Sequence, residues 1–344
     1  MSGMATKSPI VTLTPAPTLD RTYTVTNLHS GAVNRADSVG EELAGKGINV
    51  ARALHLAGIP ASAVVPIGNA EKGILDRTGS KKFLVPLWID GTIRVSTTIL
   101  ERGGTTTKIN EAPKPLSSKE WQQVIELTEK TVIENDAKWL VIAGALPTDE
   151  STGTFVDLHP IFQRMEKLGV RVVLDTSGEP LAYWVRQGEA AILKPNAEEL
   201  ASAVGRDLLT NGDVIEAARE LCSHGVECVL ASLGADGMLA VTKSRAWATK
   251  TSPVKVINTV GAGDATLAGF LAAITNNPIT ENEQDFGVEF NVPVGAMTAV
   301  QWGAVKVSQP TSGLDHIDNL PEVFLTEDVD LAAPLKEPAI HKEN

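Results

Sequence analysis

From about residue 113 onward, short apolar runs alternate with longer stretches in which apolar residues return at helical spacing. The first kind reads as strand and the second as amphipathic helix. WLVIAGA, VRVVLDT, AILKP and ECVLASLG are strands, and GMLAVT and AWATKT add two more. Helices are expected from the capping box Ser117-Ser118-Lys119-Glu120 to about Asn135, from Ser151 to Leu168, and then to Gln187. Two more lie between AILKP and ECVLASLG, and a last one spans Val294 to Ser308. This alternation predicts an α/β fold whose mostly parallel central sheet carries helices on both faces.

The N-terminal third departs from that rhythm. Residues 1–8 read as a loose tail and Ile10 to Leu13 as a first strand. Thr22 to Thr26 and Ser38 to Leu43 have β-like alternation with no helix between them. Gly45-Lys46-Gly47 then opens the helix INVARALHLAG, closed by Gly58 and Pro60, and Ser62 to Ile67 is a buried strand. Thr92 to Glu101 and Thr105 to Asn110 read as a hairpin turned by Gly103-Gly104. Two β-rich insertions without helices cannot be βαβ units, so a small β-sheet lid over the main sheet is expected. One domain results, with its core at about 9–13, 45–90 and 113–325 and its lid at about 14–44 and 91–112. The acidic, Pro-containing stretch 326–344 is expected to be a disordered tail.

Composition narrows the class. A chain of 344 residues, 43% hydrophobic, with mean hydropathy near zero, fits a soluble globular protein with a sizeable core. Its net charge of -12 argues against nucleic acid or an anionic membrane as the main partner. Any phosphate site must therefore be locally basic. Cys222 and Cys228 form no C-x-x-C pair and the histidines show no H-x-x-x-H spacing, so neither a disulfide framework nor a zinc site is expected. MSGMATKSP lacks the apolar centre of a secretory signal, and runs such as Ala265 to Ile274 fall short of the ~20 residues that span a bilayer. The expectation is a cytoplasmic protein.

The richest chemistry lies in PVKVINTVGAGDATLAGFLAAIT, residues 253–275. Val254 to Ile257 reads as a short strand, the run after Gly263 as a helix, and Gly261-Ala262-Gly263-Asp264 as the junction. First-turn N–H groups without intrahelical partners, together with the helix dipole, make an anion hole there. An acid inside such a hole is placed to take the proton from a hydroxyl that attacks a bound phosphoryl group. The plainer reading makes Asp264 a cap on a tight turn. A dinucleotide fingerprint fits poorly, because its third glycine would fall at Thr266.

Other clusters are weaker one by one. Gly40 to Gly47 nearly spells a P-loop, but Gly47 stands where Ser or Thr must meet magnesium, and two glutamates would repel a triphosphate. What remains is Lys46 between Gly45 and Gly47 at a helix start, with Asn49 just inside, suited to a phosphate or a sugar hydroxyl. Lys194-Pro195-Asn196 ends a strand and runs into a helix carrying Glu199, so that Asn196 and Glu199 share a helical face and could organise hydrated magnesium. The same pair also makes a good helix start. Ser232-Leu233-Gly234-Ala235-Asp236-Gly237 could line a nucleotide or form a hairpin turn.

In combination these pieces resemble the ribokinase-like (PfkB) carbohydrate kinase family over about Ile10 to Leu320. AGKGINVARAL looks like its N-terminal signature and NTVGAGDATLAGFLAA like its C-terminal one, with LVIAGALP, LKPNAEEL and SLGADGML between them in the family's order. TPAPTLDRTY, GAVNRA, TIRVSTTILERGGTTTKINE and KVSQPTSGL bring the chain nearest to the 1-phosphofructokinases and tagatose-6-phosphate kinases. The resemblance implies Asp264 as catalytic base and the N–H groups of Gly261, Ala262 and Gly263 as the anion hole. It implies sugar-phosphate contacts at Asp20, Gly45, Lys46 and Asn49, with Arg94 and Lys108 reaching from the lid. ATP and Mg2+ would lie among Lys194, Asn196, Ser232, Gly234 and Gly237, with Glu199 at the metal.

Three positions depart from that pattern. Ala16 replaces the Asn of N-P-x-x-D, Ala44 the first glycine of G-G-K-G, and Ala145 the serine of S-G-S-L-P. None touches the base or the hole. The expected activity is ATP-dependent phosphorylation of fructose 1-phosphate to fructose 1,6-bisphosphate, with tagatose 6-phosphate or fructose 6-phosphate as alternatives. A non-catalytic sugar-phosphate sensor and an NAD-linked oxidoreductase are the rivals from other classes. Pairing into a homodimer through the lid is the expected assembly.

Overall fold

The computed structural model describes residues 7–77, 82–276 and 291–341. The chain opens with β1 (Ile10–Leu13), β2 (Thr18–Val25), β3 (Ser38–Ala44), α1 (Lys46–Leu56), β4 (Ala61–Gly68), α2 (Lys72–Arg77) and β5 (Leu84–Ile89). The hairpin β6 (Arg94–Glu101) and β7 (Thr106–Asn110) follows, then α3 (Ser118–Asn135), β8 (Trp139–Ala143), α4 (His159–Leu168) and β9 (Arg171–Asp175). Next come α5 (Gly178–Gln187), β10 (Ile192–Leu193), α6 (Ala197–Val204), β11 (Leu208–Thr210) and α7 (Asn211–Ser223). The last third holds β12 (Cys228–Ser232), β13 (Met238–Val241), β14 (Ala246–Thr251), α8 (Ala262–Asn276), α9 (Val292–Val307), β15 (Val323–Thr326) and β16 (Pro334–Ala339).

The main sheet runs β15-β14-β13-β12-β10-β9-β8-β1-β4-β5. From β12 to β5 its strands are parallel, and β13, β14 and β15 extend it antiparallel. Side chains alternate between its faces with the strand period of two. Val11, Leu13, Leu140 and Ile142 pack with Trp121 of α3, Phe162 of α4 and Trp184 of α5 in one core. Ile10, Val65 and Val141 turn the other way and pack with Ile48 of α1, Phe270 of α8 and Trp302 of α9 in a second. The expected α/β architecture with helices on both faces is the one found.

A separate four-stranded sheet, β3-β2-β6-β7, forms the lid. Its central pair β2 and β6 is parallel and its outer pairs are antiparallel.

Four local expectations need correction. Val254 to Ile257 is not a strand: the amides of Ile257 and Asn258 donate to the Val307 carbonyl at the end of α9 (2.7 and 3.1 Å), so this segment docks on a helix end. The helix expected from Ser151 begins at His159, because Asp149 accepts from the Ser151 amide (2.7 Å) in a turn and Pro160 suits a helix's first turn. β5 was not anticipated. Pro86 breaks its strand signal, yet β5 is an edge strand, where a missing N–H is tolerated.

The expected disordered tail is ordered instead. Leu335 and Ala339 are buried, β16 pairs antiparallel with β11, and Lys336 Nζ lies 2.8 Å from Asp236 Oδ1. Its acidic composition hid two apolar anchors at i, i+4; residues 342–344 lie outside the described residues. Among the described residues no helix is long and apolar enough to cross a membrane.

Candidate active site

The parallel strands β1, β8, β9, β10 and β12 end on one edge of the sheet, where ligand-facing groups gather in open α/β folds. β9 delivers Asp175 there, fully buried. Lys46 Nζ lies 2.9 Å from its Oδ1 and Lys194 Nζ 3.4 Å from its Oδ2. Burial alone would push the Asp175 carboxyl up, but the ammonium groups of Lys194 and Lys46 overcome it and hold it below the ordinary range. Burial also works against the charge on Lys46; Asp175 reverses this, with help from Asp264 and Glu199, and raises its pKa.

Lys46 reaches Asp175 because α1 starts hard against the end of β1. The Ile48 amide donates to Thr14 Oγ1 (3.1 Å), and Thr12 Oγ1 donates to the Gly47 carbonyl (2.9 Å). Gly45 enters the helix at φ 148°, and a Cβ there would strike the Thr14 side chain.

Asp264 stands in the first turn of α8 and is 7% exposed. Asn49 Nδ2 donates to its Oδ2 across 2.8 Å. Burial, seconded by the negative charge of Asp175, pushes the Asp264 carboxyl up to about 6, against the pull of Asn49, Lys46 and Lys194. A carboxyl so poised can accept a proton near neutral pH.

The turn before it has a demanding backbone. Gly261 adopts φ 79°, and a Cβ would collide with the Ser312 carbonyl, so glycine alone fits. The Ala262 amide already donates to the Thr259 carbonyl (3.2 Å). An anion held at this turn would rest chiefly on the first-turn amides after it. Lys194, 5% exposed, lies against the turn: Nζ is 3.0 Å from where a Cβ on Gly263 would be.

A second group lies on the lid. Burial raises the Asp20 carboxyl, opposed by the Thr18 hydroxyl at 2.6 Å and by Lys108, Arg94 and Arg52. Arg94 donates to the carbonyls of Ala16 and Glu111, each at 3.3 Å, and its Nε is buried without a hydrogen-bond partner. Lys108 is exposed on β7. The sequence puts Lys46 with these lid cations, whereas the structure pairs it with Asp175, next to Asp264.

The remaining candidates serve local structure. Asn196 Oδ1 accepts from the Glu199 amide (2.7 Å) and Glu199 Oε2 from the Asn196 amide (2.9 Å), a capping box that starts α6. Asn196 also bridges Ser232, which brings the two loops together. Gly234 and Gly237 shape the turn into β13, with the Leu233 amide donating to the Gly237 carbonyl (2.8 Å). Among the described residues no cluster of three or more His, Cys, Asp or Glu could hold a metal ion.

Sequence reasoning missed Asp175. Its signal was present: VRVVLDT closes an apolar strand on an acid, at the same sheet edge that singled out Lys194.

Comparison with known proteins identifies the family. The chain matches the pfkB family carbohydrate kinase profile over residues 15–290. It is 36% identical to 1-phosphofructokinase of Haloferax volcanii over 270 residues, 77% of this chain and 83% of that relative. It is 31% identical to ATP-dependent 6-phosphofructokinase isozyme 2 of Escherichia coli over 293 residues, 81% of this chain and 90% of that relative. The solved structure of phosphofructokinase-2 from Escherichia coli in complex with potassium superposes with a TM-score of 0.77 at 27% identity, covering 90% of this chain and 96% of that one. The chain belongs to the pfkB family of carbohydrate kinases and is a phosphotransferase.

Proposed function

We propose that the protein transfers the γ-phosphoryl group of ATP to the free primary hydroxyl of a ketohexose monophosphate. The favoured substrate is fructose 1-phosphate, giving fructose 1,6-bisphosphate and ADP in the cytoplasm. The observation that carries the reaction type is Asp264: a buried carboxyl, held by Asn49 and poised at about 6, in the first turn of a helix. As the hydroxyl oxygen bonds to the γ-phosphorus, the bond to the β–γ bridging oxygen breaks and the hydroxyl proton passes to Asp264. The Gly261-Ala262-Gly263 turn and Lys194 offset the charge on the transferring group, and Lys46 steadies Asp175 beside it.

MgATP supplies the phosphoryl group and a hydrated cation that neutralises part of its charge. The residues present suit it. Lys46 and Lys194 stand together at Asp175 beside this turn, and Glu199, whose Oε2 serves the α6 cap, would hold a magnesium-bound water through its other oxygen. Asn196, Ser232, Gly234 and Gly237 line the nucleotide side in this reading. Asp20, Gly45 and Asn49 hold sugar hydroxyls. Arg94, with its unpartnered Nε, and Lys108 take the sugar's own phosphate under the lid built from about 14–44 and 91–112. Two chains pair through that lid, where Val39 and Ile109 are 55% and 60% exposed.

The substrate choice rests on the Haloferax relative and on the sequence likeness described above. Fructose 6-phosphate is the second reading, favoured by the Escherichia coli relative named for that activity. ADP release across fructose 1-phosphate, fructose 6-phosphate, tagatose 6-phosphate, fructose and ribose decides between them. Tight sugar-phosphate binding with no ADP from any of them would make the protein a sensor instead.

A further inference from the structure

Lys306 is the anomaly of the second core. It lies in the last turn of α9 and its side chain is wholly buried. A lysine near a helix C-terminus ordinarily serves the helix's own carbonyls. This one reaches away from α9, and its Nζ donates to the carbonyl of Asn258 at 3.1 Å. Burying an ammonium costs several kcal/mol, and a methionine would fill the same volume without that cost.

Asn258 is the anchor of the turn that leads into α8. Its amide donates to the Val307 carbonyl, its Nδ2 to the carbonyls of Pro310 (2.9 Å) and Thr311 (3.2 Å), and its Oδ1 accepts from the Val260 amide at 3.0 Å. Lys306 satisfies its carbonyl from the far side. The aliphatic end of the lysine is also close to the loop, with Cε 3.5 Å from where a Cβ on Gly261 would lie. The side chain therefore lies against the turn at Asn258 and Gly261, within electrostatic reach of Asp264. Burial lowers its pKa; Asp315 and Asp264 work against that and favour its charge, and Lys108 opposes it.

We propose that Lys306 is a positioning residue for phosphoryl transfer, an internal cation that fixes the Asn258–Gly261 turn and lends positive potential to the anion hole from behind. This rests on reading that turn as the site of the transferring group. No contact with substrate is needed. A fixed charge in a dry site acts most on the species with the greatest negative charge at the hole. The effect belongs in turnover more than in sugar affinity.

Lys306→Met keeps the packing and removes the charge, and Lys306→Ala leaves room for a small amine. Both should lower kcat for ADP release by about 10²-fold while KM for the sugar phosphate stays within about threefold. Ammonium or methylamine should restore much of the loss in Lys306→Ala and do nothing for Lys306→Met or the parent protein. A wild-type kcat in Lys306→Met overturns the proposal, as does an amine-insensitive Lys306→Ala. A purely structural lysine would give a lower Tm with kcat preserved. Inorganic phosphate supplies a readout free of any sugar: it should raise the Tm of the parent protein and not that of Lys306→Met. If no sugar phosphate yields ADP but the phosphate effect still depends on Lys306, the substrate reading falls and this inference stands. Equal phosphate effects in both proteins overturn the inference.

Discussion

Asn49 and Asp264 are 215 residues apart in sequence and joined by one hydrogen bond of 2.8 Å, from Nδ2 to Oδ2. That bond ties the start of α1 to the start of α8, helices that pack together on the same face of the sheet. It also opposes the burial that raises the Asp264 carboxyl. One amide thus helps hold the proposed base in place and tempers a proton affinity that burial and Asp175 raise.

Replacing the base separates chemistry from fold. Asp264→Asn keeps the shape but cannot take a proton, so turnover should fall by at least ~10²-fold with nucleotide binding little changed. Its stability should move the other way. The Asp264 carboxyl stands at about 6 when folded, against an ordinary 3.8, so the folded state binds this proton more tightly. The resulting penalty is absent below the ordinary value, grows as pH rises through the interval, and is complete above about 6 at roughly 3 kcal/mol. Asp264→Asn should therefore melt higher than the parent protein at pH 8 and no higher at pH 3.5. A variant that melts lower at pH 8, or turns over normally, removes Asp264 from this role.

Asn49→Ala withdraws the amide that lowers the Asp264 carboxyl. The acid limb of the kcat/KM profile should move to higher pH by about half to one unit, as expected for a lost hydrogen bond of ~1 kcal/mol. An unmoved limb with reduced activity would show that Asn49 serves the sugar alone.

Glu199→Gln tests the metal against the helix cap. Glutamine can still accept the Asn196 amide, so α6 should keep its start and the protein its Tm. The magnesium concentration for half-maximal rate should rise several-fold, with KM for the sugar phosphate unchanged. Unaltered magnesium dependence leaves Glu199 as a cap and nothing more.

Arg94→Ala should raise KM for the sugar phosphate by about 1.5–3 kcal/mol, the usual worth of a hydrogen bond to a charged group. KM for ATP and for unphosphorylated fructose should stay put, since neither uses that contact. Lys46→Met should instead cut kcat, because it strands Asp175 with Lys194 as its remaining salt-bridge partner. If Lys46→Met raises only sugar-phosphate KM, the lysine belongs with Arg94 after all.

The sheet, both helical layers and the lid were legible because each is written in local periodicity. Two of the errors fell where a segment takes its partners from afar. Val254 to Ile257 looks like a strand by composition, but its neighbours turn out to be the end of α9 and not another strand. The tail around Leu335 looked disordered since two small apolar anchors do not register against its charges. In the site, Asp264, Asn49, Lys46 and Lys194 stood out by their glycine-rich or strand-end settings. Asp175 did not, for a lone acid ending an apolar strand gains meaning only when two lysines arrive from α1 and the end of β10. The roles of Asn196 and Glu199 as a reciprocal cap were equally readable, being local.

The Asn49–Asp264 bond has a bearing on biosynthesis. A chain still emerging from the ribosome displays the lid, Lys46 and Asn49 long before α8 exists. In the proposed mechanism such a chain owns the cations of the site but no group to accept the proton. That proposed machinery is completed only when α8 docks on α1, just over three-quarters of the way along the sequence. On that mechanism, truncated products of interrupted synthesis are disarmed by topology.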